Sequence, residues 1–399
     1  MTCVAGCRAK ANRSPPFTLV GTPATVLGAL RRFLPDFRKT APALSPQLSR
    51  AIRAITRCRT PALGGRAFAC EHCPHVHFAY HSCNHKACPQ CGAQDAHRWV
   101  ERELGKLVNA PYFLVTFTLP AELRGCFFGP HARQAYDLFF TAAAGSLSEK
   151  LASDKAFRAP VNGFVAVLHT WNQKLEFHPH LHCLVPGAGL DDHQRLVRVK
   201  KPEFLLHLPH LQAAFRQHLY RLLKENDWPV DPSVWRKDWG VHIQPAGSGA
   251  SALKYLGAYV TRTALTDARM IRVDLESVTF RWKDRAHNNR PRELTLPGVE
   301  FVRRYLRHVL PGGLRSIRYY GFCHPTAKAN RLRVQLHTGR QVQFGNATAT
   351  LAPEISKPST PPCPRCGEPM QLMFMLGPGN ATRGPPVTAT VQTPIPSAA

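Results

Sequence analysis

The chain has 399 residues, with 52 Lys plus Arg against 25 Asp plus Glu, a formal net charge of +27 and a pI near 10.1. A 44% apolar fraction excludes a wholly disordered chain and is enough for a sizeable core in two or three domains. A field of this sign favours polyanions, nucleic acid ahead of anionic lipid, and no apolar run approaches the ~18 residues of a membrane span.

Met1 to Phe17 lacks the apolar core of a signal peptide, so the expected location is the cytoplasm. In that compartment the 13 cysteines read as metal ligands and buried thiols rather than disulfides.

In chain order, Met1 to Pro23 is polar and irregular. Ala24 to Phe37 and Pro46 to Arg57 have helical apolar spacing, and the second carries Arg50, Arg53 and Arg57 along a basic face. Composition changes at Cys58. Two Cys-x-x-Cys knuckles, Cys70 with Cys73 and Cys88 with Cys91, stand at close to the spacing of a four-cysteine zinc ribbon. Random placement of the cysteines predicts less than one such knuckle, and Cys363 with Cys366 makes a third. Cys58, Cys83 and His85 are further candidate ligands, along with His72, His75, His77 and His81, so a second zinc is open. A closed four-ligand site leaves no position for water, so catalysis must lie elsewhere.

Strand patterns follow at Tyr112 to Pro120, at Gly163 to Trp171 and in the stretch "FHPHLHCLV" from Phe177 to Val185. The last two runs are expected to form an antiparallel pair, and Ala93 to Val108 and Gly129 to Ala152 to form helices around them. Alternate strand residues share a face, so His178, His180 and His182 converge in a way that suits one metal ion. With 20 histidines in the chain, about one His-x-His pair is expected by accident. The neighbours of the strand therefore have to decide its meaning.

After a helical region at His207 to Glu225, Gly247 to Leu265 reads as a helix in which Tyr255 and Tyr259 project from one side, a turn apart. Arg262 follows on that side. Paired imidazoles, paired tyrosines and a very basic surface together suggest a tyrosine hydroxyl attacking a metal-polarised phosphodiester. A second tyrosine takes a second strand while the first is occupied. Val278 to Leu296 reads as a hairpin turning at Asn288 and Asn289, with Arg281, Lys283, Arg285 and Arg290 along a basic ribbon for DNA backbone. Phe301 to Val309 is a helix stopped by Pro311. From Gly377 onward the composition is that of a disordered tail.

The blocks "CRTPALGG", "SCNHKACPQC", "YFLVTFTLP", "LHTWNQKLEFHPHLHCLVPGAGL", "KYLGAYVTR", "VTFRWKDR" and "FVRRYLRHVLPGGLRSIRYYGF" resemble, in order, the transposases of the insertion sequence 91 family. These are two-tyrosine members of the His-hydrophobic-His endonuclease superfamily. The resemblance runs from about Arg50 to Arg333, with an echo at Cys363 to Met370. It implies an α+β fold in which a ferredoxin-like antiparallel sheet with covering helices follows an N-terminal zinc-binding domain. It also implies nicking and rejoining of single-stranded DNA at element ends and target, through 5'-phosphotyrosine intermediates in rolling-circle-like transposition, in a bacterial, nucleoid-associated protein. Residue by residue, His180 and His182 match the metal ligands and Tyr255 and Tyr259 the nucleophiles, while Cys70, Cys73, Cys83, Cys88 and Cys91 fall in the zinc domain.

Two stretches depart from the family pattern. "SCNHKACPQC" lacks the usual Arg-His before Cys88, which leaves His85 either a displaced ligand or a surface residue, and "GFCHPTAKANR" is altered against a shorter form. The third ligand of the catalytic ion is expected to be Gln173 or His178, ahead of His242, and the ion Mg²⁺ or Mn²⁺. The knuckle at Cys363 and Cys366 must borrow partners, Cys58 or Cys83, or hold no metal.

The expected divisions are 1–105 for the helical and zinc-binding domain, 106–345 for the transposase domain, 346–376 for the C-terminal knuckle and 377–399 for the tail. The competing class is a zinc-dependent DNA-binding regulator, or an inactive copy, without catalysis. A zinc nucleobase deaminase is excluded because no His-x-Glu occurs in the chain.

Overall fold

A computed structural model describes residues 24–41, 43–91, 93–155, 157–237, 239–260, 264–340 and 360–378. The irregular N-terminal stretch, Arg262 and nearly all of the expected tail lie outside them.

The chain starts with helices α1 (Val26–Thr40) and α2 (Pro46–Arg57), then strands β1 (Gly65–Cys70) and β2 (Val76–Tyr80) and helix α3 (Ala93–Leu104). Next come β3 (Tyr112–Thr118), α4 (Ala132–Ser153), β4 (Gly163–Trp171), β5 (Phe177–Pro186), the short β6 (Ala188–Leu190) and β7 (Leu196–Arg198), α5 (Leu208–Glu225) and β8 (Val241–Pro245). The remainder is α6 (Ala250–Val260), β9 (Met270–Val273), β10 (Ser277–Asp284), β11 (Arg290–Pro297), α7 (Gly298–Leu306), β12 (Ile317–Gly321), α8 (Lys328–His337) and β13 (Met370–Leu376). The first two helices start on side-chain caps. Thr25 accepts from the Gly28 N–H, and Ser45 accepts from the Leu48 N–H with Pro46 in the first turn.

The central sheet has the order β12-β4-β5-β3-β8, and every neighbouring pair is antiparallel. Four of its strands are connected strand-helix-strand-strand-helix-strand, from β3 through α4, β4, β5 and α5 to the edge strand β8. Strand alternation gives the sheet two different faces. On one, Phe117, Leu181 and Cys183 pack with Phe139 of α4 and Phe215 of α5. On the other, Val165, Val167 and Leu184 pack with Trp99 of α3 and Leu253 and Leu256 of α6. Helix α4 reads apolar around much of its circumference because it is buried between the sheet and α5.

A second core joins distant parts of the sequence. Leu30 and Phe33 of α1 and Ile52 and Ile55 of α2 pack with Phe280 of β10, Leu296 of β11 and Phe301 and Val302 of α7. The hairpin expected from Val278 to Leu296 is β10 and β11, in register from Ser277 opposite Pro297 to Asp284 opposite Arg290. Asn288 and Asn289 both have positive φ, 52° and 58°, which Asn tolerates better than most residues. A third, small sheet has the order β13-β1-β2.

The turn between β4 and β5 positions the site. The Asn172 side-chain oxygen accepts from the backbone N–H groups of Lys174 (2.9 Å) and Glu176 (3.0 Å). Leu175, at φ 60°, is fully buried in the second core, so packing compensates a backbone conformation unfavourable for a branched side chain. His308, just beyond α7, bridges the turn to the strand: Nε2 is 3.2 Å from the Leu175 carbonyl and Nδ1 is 3.2 Å from the Thr170 hydroxyl. Desolvation pushes its pKa down to about 4, so the ring is neutral, with Nε2–H donating and Nδ1 accepting.

The unfolded chain takes up a proton at His308 near the ordinary value of 6.5, and the folded chain only near 4. Stability is therefore complete above pH 6.5 and falls as the pH drops from there toward 4. Urea denaturation across this range is expected to show that decline in the native chain and a flatter one in His308→Gln.

Candidate metal centres and nuclease site

The cysteines form two sets of four, and the pairing differs from the sequence expectation. Cys88 and Cys91 gather with Cys58 and Cys83, whereas Cys70 and Cys73 gather with Cys363 and Cys366. In the first set the sulfurs of Cys58 and Cys83 lie 3.5 and 3.7 Å from that of Cys91. In the second, Cys70 lies 3.4 Å from Cys366, and Cys73 lies 3.7 Å from Cys363 and 3.8 Å from Cys366. A Zn–S bond of about 2.3 Å in a tetrahedron places its sulfurs about 3.8 Å apart, so both sets fit the ion.

The single ribbon of Cys70, Cys73, Cys88 and Cys91 is thus corrected to two closed sites. The reason is strand addition: β13 runs antiparallel to β1 with Cys70 opposite Met370, which carries the late knuckle to the early one. The partners borrowed by Cys363 and Cys366 are therefore not Cys58 or Cys83. His85 stands outside both sets, its Nδ1 accepting from the Ala87 N–H at 3.1 Å.

Burial pushes the Cys88 thiol up, and the Cys83 thiol up to about 11. A divalent cation is what makes thiolates favourable there, so folding and metal binding are coupled in this module.

The third cluster lies on the α6 face of the central sheet. His169, His180 and His182 bring ring nitrogens within 4.8 Å of one another, with ring centroids 4.5 to 5.1 Å apart. The sheet register creates this arrangement: His169 is opposite His180, and Val167 is opposite His182. Two rings are held from behind. His180 Nδ1 is 2.7 Å from the His178 carbonyl, and His182 Nδ1 is 2.9 Å from the Thr116 hydroxyl. With protons on those nitrogens, each Nε2 is left to an ion. Desolvation, with His182 and His180 adding, holds His169 well below the usual imidazole range, and neutral imidazole is the form that binds metal.

The third ring that gathers with His180 and His182 is that of His169, and the expected Gln173, His178 and His242 stand outside the group. His178 faces the guanidinium of Arg124, with Nδ1 2.9 Å from Nη2, because Arg124 rises beside the start of β5. Gln173 lies in the turn beyond the strand, and its side-chain oxygen is 3.4 Å from the Lys283 N–H. His242 on β8 is exposed, opposite Thr116 and two strands from His182.

Tyr255 on α6 faces this cluster. Its ring centroid is 6.0 Å from that of His182 at 84°, and the residue is 37% exposed, which leaves it open to a substrate. Tyr259 lies on α6 one turn further on, with its side chain outside the described residues, as is that of Arg285. Arg281 and Lys283 are exposed on alternate positions of β10, and the ribbon is tied to the β4–β5 turn where Arg269 Nη2 donates to the Gln173 carbonyl at 2.5 Å.

Comparison with known proteins matches two parts of the chain to family models: residues 29–119 to one described as "Transposase zinc-binding domain" and residues 163–331 to one described as "Putative transposase". A relative in Sinorhizobium fredii (strain NBRC 101917 / NGR234), "Putative transposase y4qJ", is 34% identical over 394 residues, covering 90% of this chain and 97% of the relative. The "Transposase for insertion sequence element IS801" of Pseudomonas savastanoi pv. phaseolicola is 28% identical over 289 residues, covering 68% of this chain and 69% of that protein. No solved structure matches the chain.

The fold, the cysteine sets and these matches define a zinc-binding DNA transposase of mixed α and antiparallel β structure. The chain belongs to the insertion sequence 91 family of transposases. Among the described residues no helix is long and apolar enough to cross a membrane.

The two cysteine sets predict two tightly held zinc ions per chain. Elemental analysis of Cys363→Ser is expected to find one lost while the Cys58 set keeps its own. A chain with a single shared site would instead contain one zinc before mutation.

Proposed function

We propose that this transposase nicks and rejoins single-stranded DNA at the ends of its element and at the target, with Tyr255 as the first nucleophile and His169, His180 and His182 as ligands of the catalytic ion. The observation that carries this reading is the position of Tyr255, beside His182 on the face where the three imidazoles converge. The order β4-β5-β3-β8 and the connections of these strands support a ferredoxin-like reading of the sheet, and the histidines stand on two adjacent strands of it.

The ion, when bound, supplies positive charge to a non-bridging oxygen of the scissile phosphate. Three imidazoles without a carboxylate suit Mn²⁺ better than Mg²⁺, which prefers oxygen donors. The chain's own groups do the rest. Thr116 and the His178 carbonyl fix two of the ring orientations, and α6 holds the Tyr255 hydroxyl against the face.

In the nicking step a bond forms from the Tyr255 oxygen to phosphorus, and the bond from phosphorus to the 3'-oxygen breaks. The phenolic proton passes to solvent, and the departing 3'-oxygen takes one up. The resulting 5'-phosphotyrosine conserves the phosphodiester bond, so a 3'-hydroxyl reverses the step without a nucleotide cofactor. Tyr259, one turn along α6, takes the second strand in a rolling-circle-like exchange. Arg281 and Lys283, with Arg285 and Arg262, supply contacts to the DNA backbone.

Incubation of the folded chain with labelled single strands from the element's ends is expected to give an SDS-resistant adduct on the fragment 3' of the nick, joined through its 5'-phosphate, with Mn²⁺ and none with EDTA. Replacing Tyr255 and Tyr259 together by Phe is expected to reduce it to background. Survival of the adduct in that variant would show that neither tyrosine is the nucleophile.

A further inference from the structure

A cavity of about 670 Å³ opens between the zinc module and the central sheet. One wall is the loop Asn84–Ala87 with Cys91, from the Cys58 zinc set. The opposite wall includes Trp171 and Ile317, from the ends of β4 and β12, and Tyr305 of α7. Its volume lies within the roughly 300–1,000 Å³ of small-molecule sites. Arg50, Lys86 and Arg102 line it and are exposed, and among its described lining residues none is acidic.

The cavity is joined to the nuclease site by one side chain. The indole of Trp171 stacks on His169, with centroids 5.7 Å apart and planes at 16°, while also lining the cavity. A strand whose phosphate sits at the three imidazoles therefore has its neighbouring nucleotide at the cavity mouth. An aromatic surface flanked by cations is the combination that takes an unpaired base and its phosphate.

We infer that this cavity is a nucleotide-binding pocket, which receives an unstacked base of the single strand next to the scissile phosphate and uses the zinc module as its outer wall. The inference rests on the nicking reading above. It gives the Cys58 zinc set a function beyond stapling the fold, because the ion holds the loop that carries Asn84, His85 and Lys86. Trp171 is the stacking surface, and Arg50, Lys86 and Arg102 neutralise the flanking phosphates.

The test uses the full zinc-loaded chain in a buffer free of added manganese and magnesium, so that cleavage plays no part. The probe is an oligothymidylate in which one thymine at a time is replaced by 5-iodouracil. After irradiation, the crosslinked peptides are expected to contain Trp171 or Tyr305, from one position or two adjacent positions of the probe. Arg50→Gln, Lys86→Gln and Arg102→Gln, substitutions of exposed side chains, are expected together to weaken binding of the unmodified probe about tenfold, with unchanged zinc content and circular dichroism. Crosslinks confined to other surfaces, with affinity unchanged in the triple variant, would overturn the pocket and leave the nicking reading standing. Failure of the folded chain to bind single-stranded DNA at all would overturn both.

Discussion

The structure depends on the register between β4 and β5. Opposing His169 to His180 places three imidazoles on the face covered by α6. A slip of one residue would turn His169 into the apolar core formed with α4 and α5. Several independent contacts hold that register: the Asn172 side chain closes the turn, Leu175 is buried in a different core, and His308 ties the turn to Thr170. The irregularity after His169 keeps Trp171 stacked on its ring. The turn thus couples the catalytic sheet to the core shared by the N-terminal helices and the β10–β11 hairpin.

The metal-binding cysteines solve a related problem on a larger scale. The β13-β1-β2 sheet has a small core, with Phe68, Cys363 and Met370 as its buried members. A sheet of that size gains little from apolar burial alone, and a structural zinc adds the missing stabilisation. The Cys58 set performs a different task, fixing the loop that faces Trp171 and Tyr305. One cysteine set closes a peripheral sheet, whereas the other stands beside the loop that lines the cavity next to the histidine face.

Much of this was legible in the sequence because it is local. The β-branched and aromatic run of Gly163 to Trp171 and the alternating histidines of Phe177 to Val185 mark two strands, and the short polar stretch between them marks a hairpin. The Asn288–Asn289 turn and the knuckle spacings are equally short-range. The resemblance to insertion sequence 91 transposases identified the family. The third imidazole was missed although the signal was present: pairing the two runs about their turn places His169 beside His180, whereas attention to one strand alone favours His178. The cysteine pairing was not legible in that way. Cys73 and Cys363 are separated by 290 residues, and strand addition over that distance has no local signature. The sharing of one core by α1, α2, α7 and β10 is likewise a tertiary fact.

The proposed nicking chemistry depends on His169 acting as the third ligand beside His180 and His182. Electron spin resonance of Mn²⁺ bound to the zinc-loaded chain, resolving nitrogen couplings, measures this directly. Three imidazole nitrogens are expected in the native chain, two with weakened affinity in His169→Ala, and three with native affinity in His178→Ala and Gln173→Ala. Loss of a nitrogen coupling in His178→Ala, with His169→Ala unchanged, would contradict it.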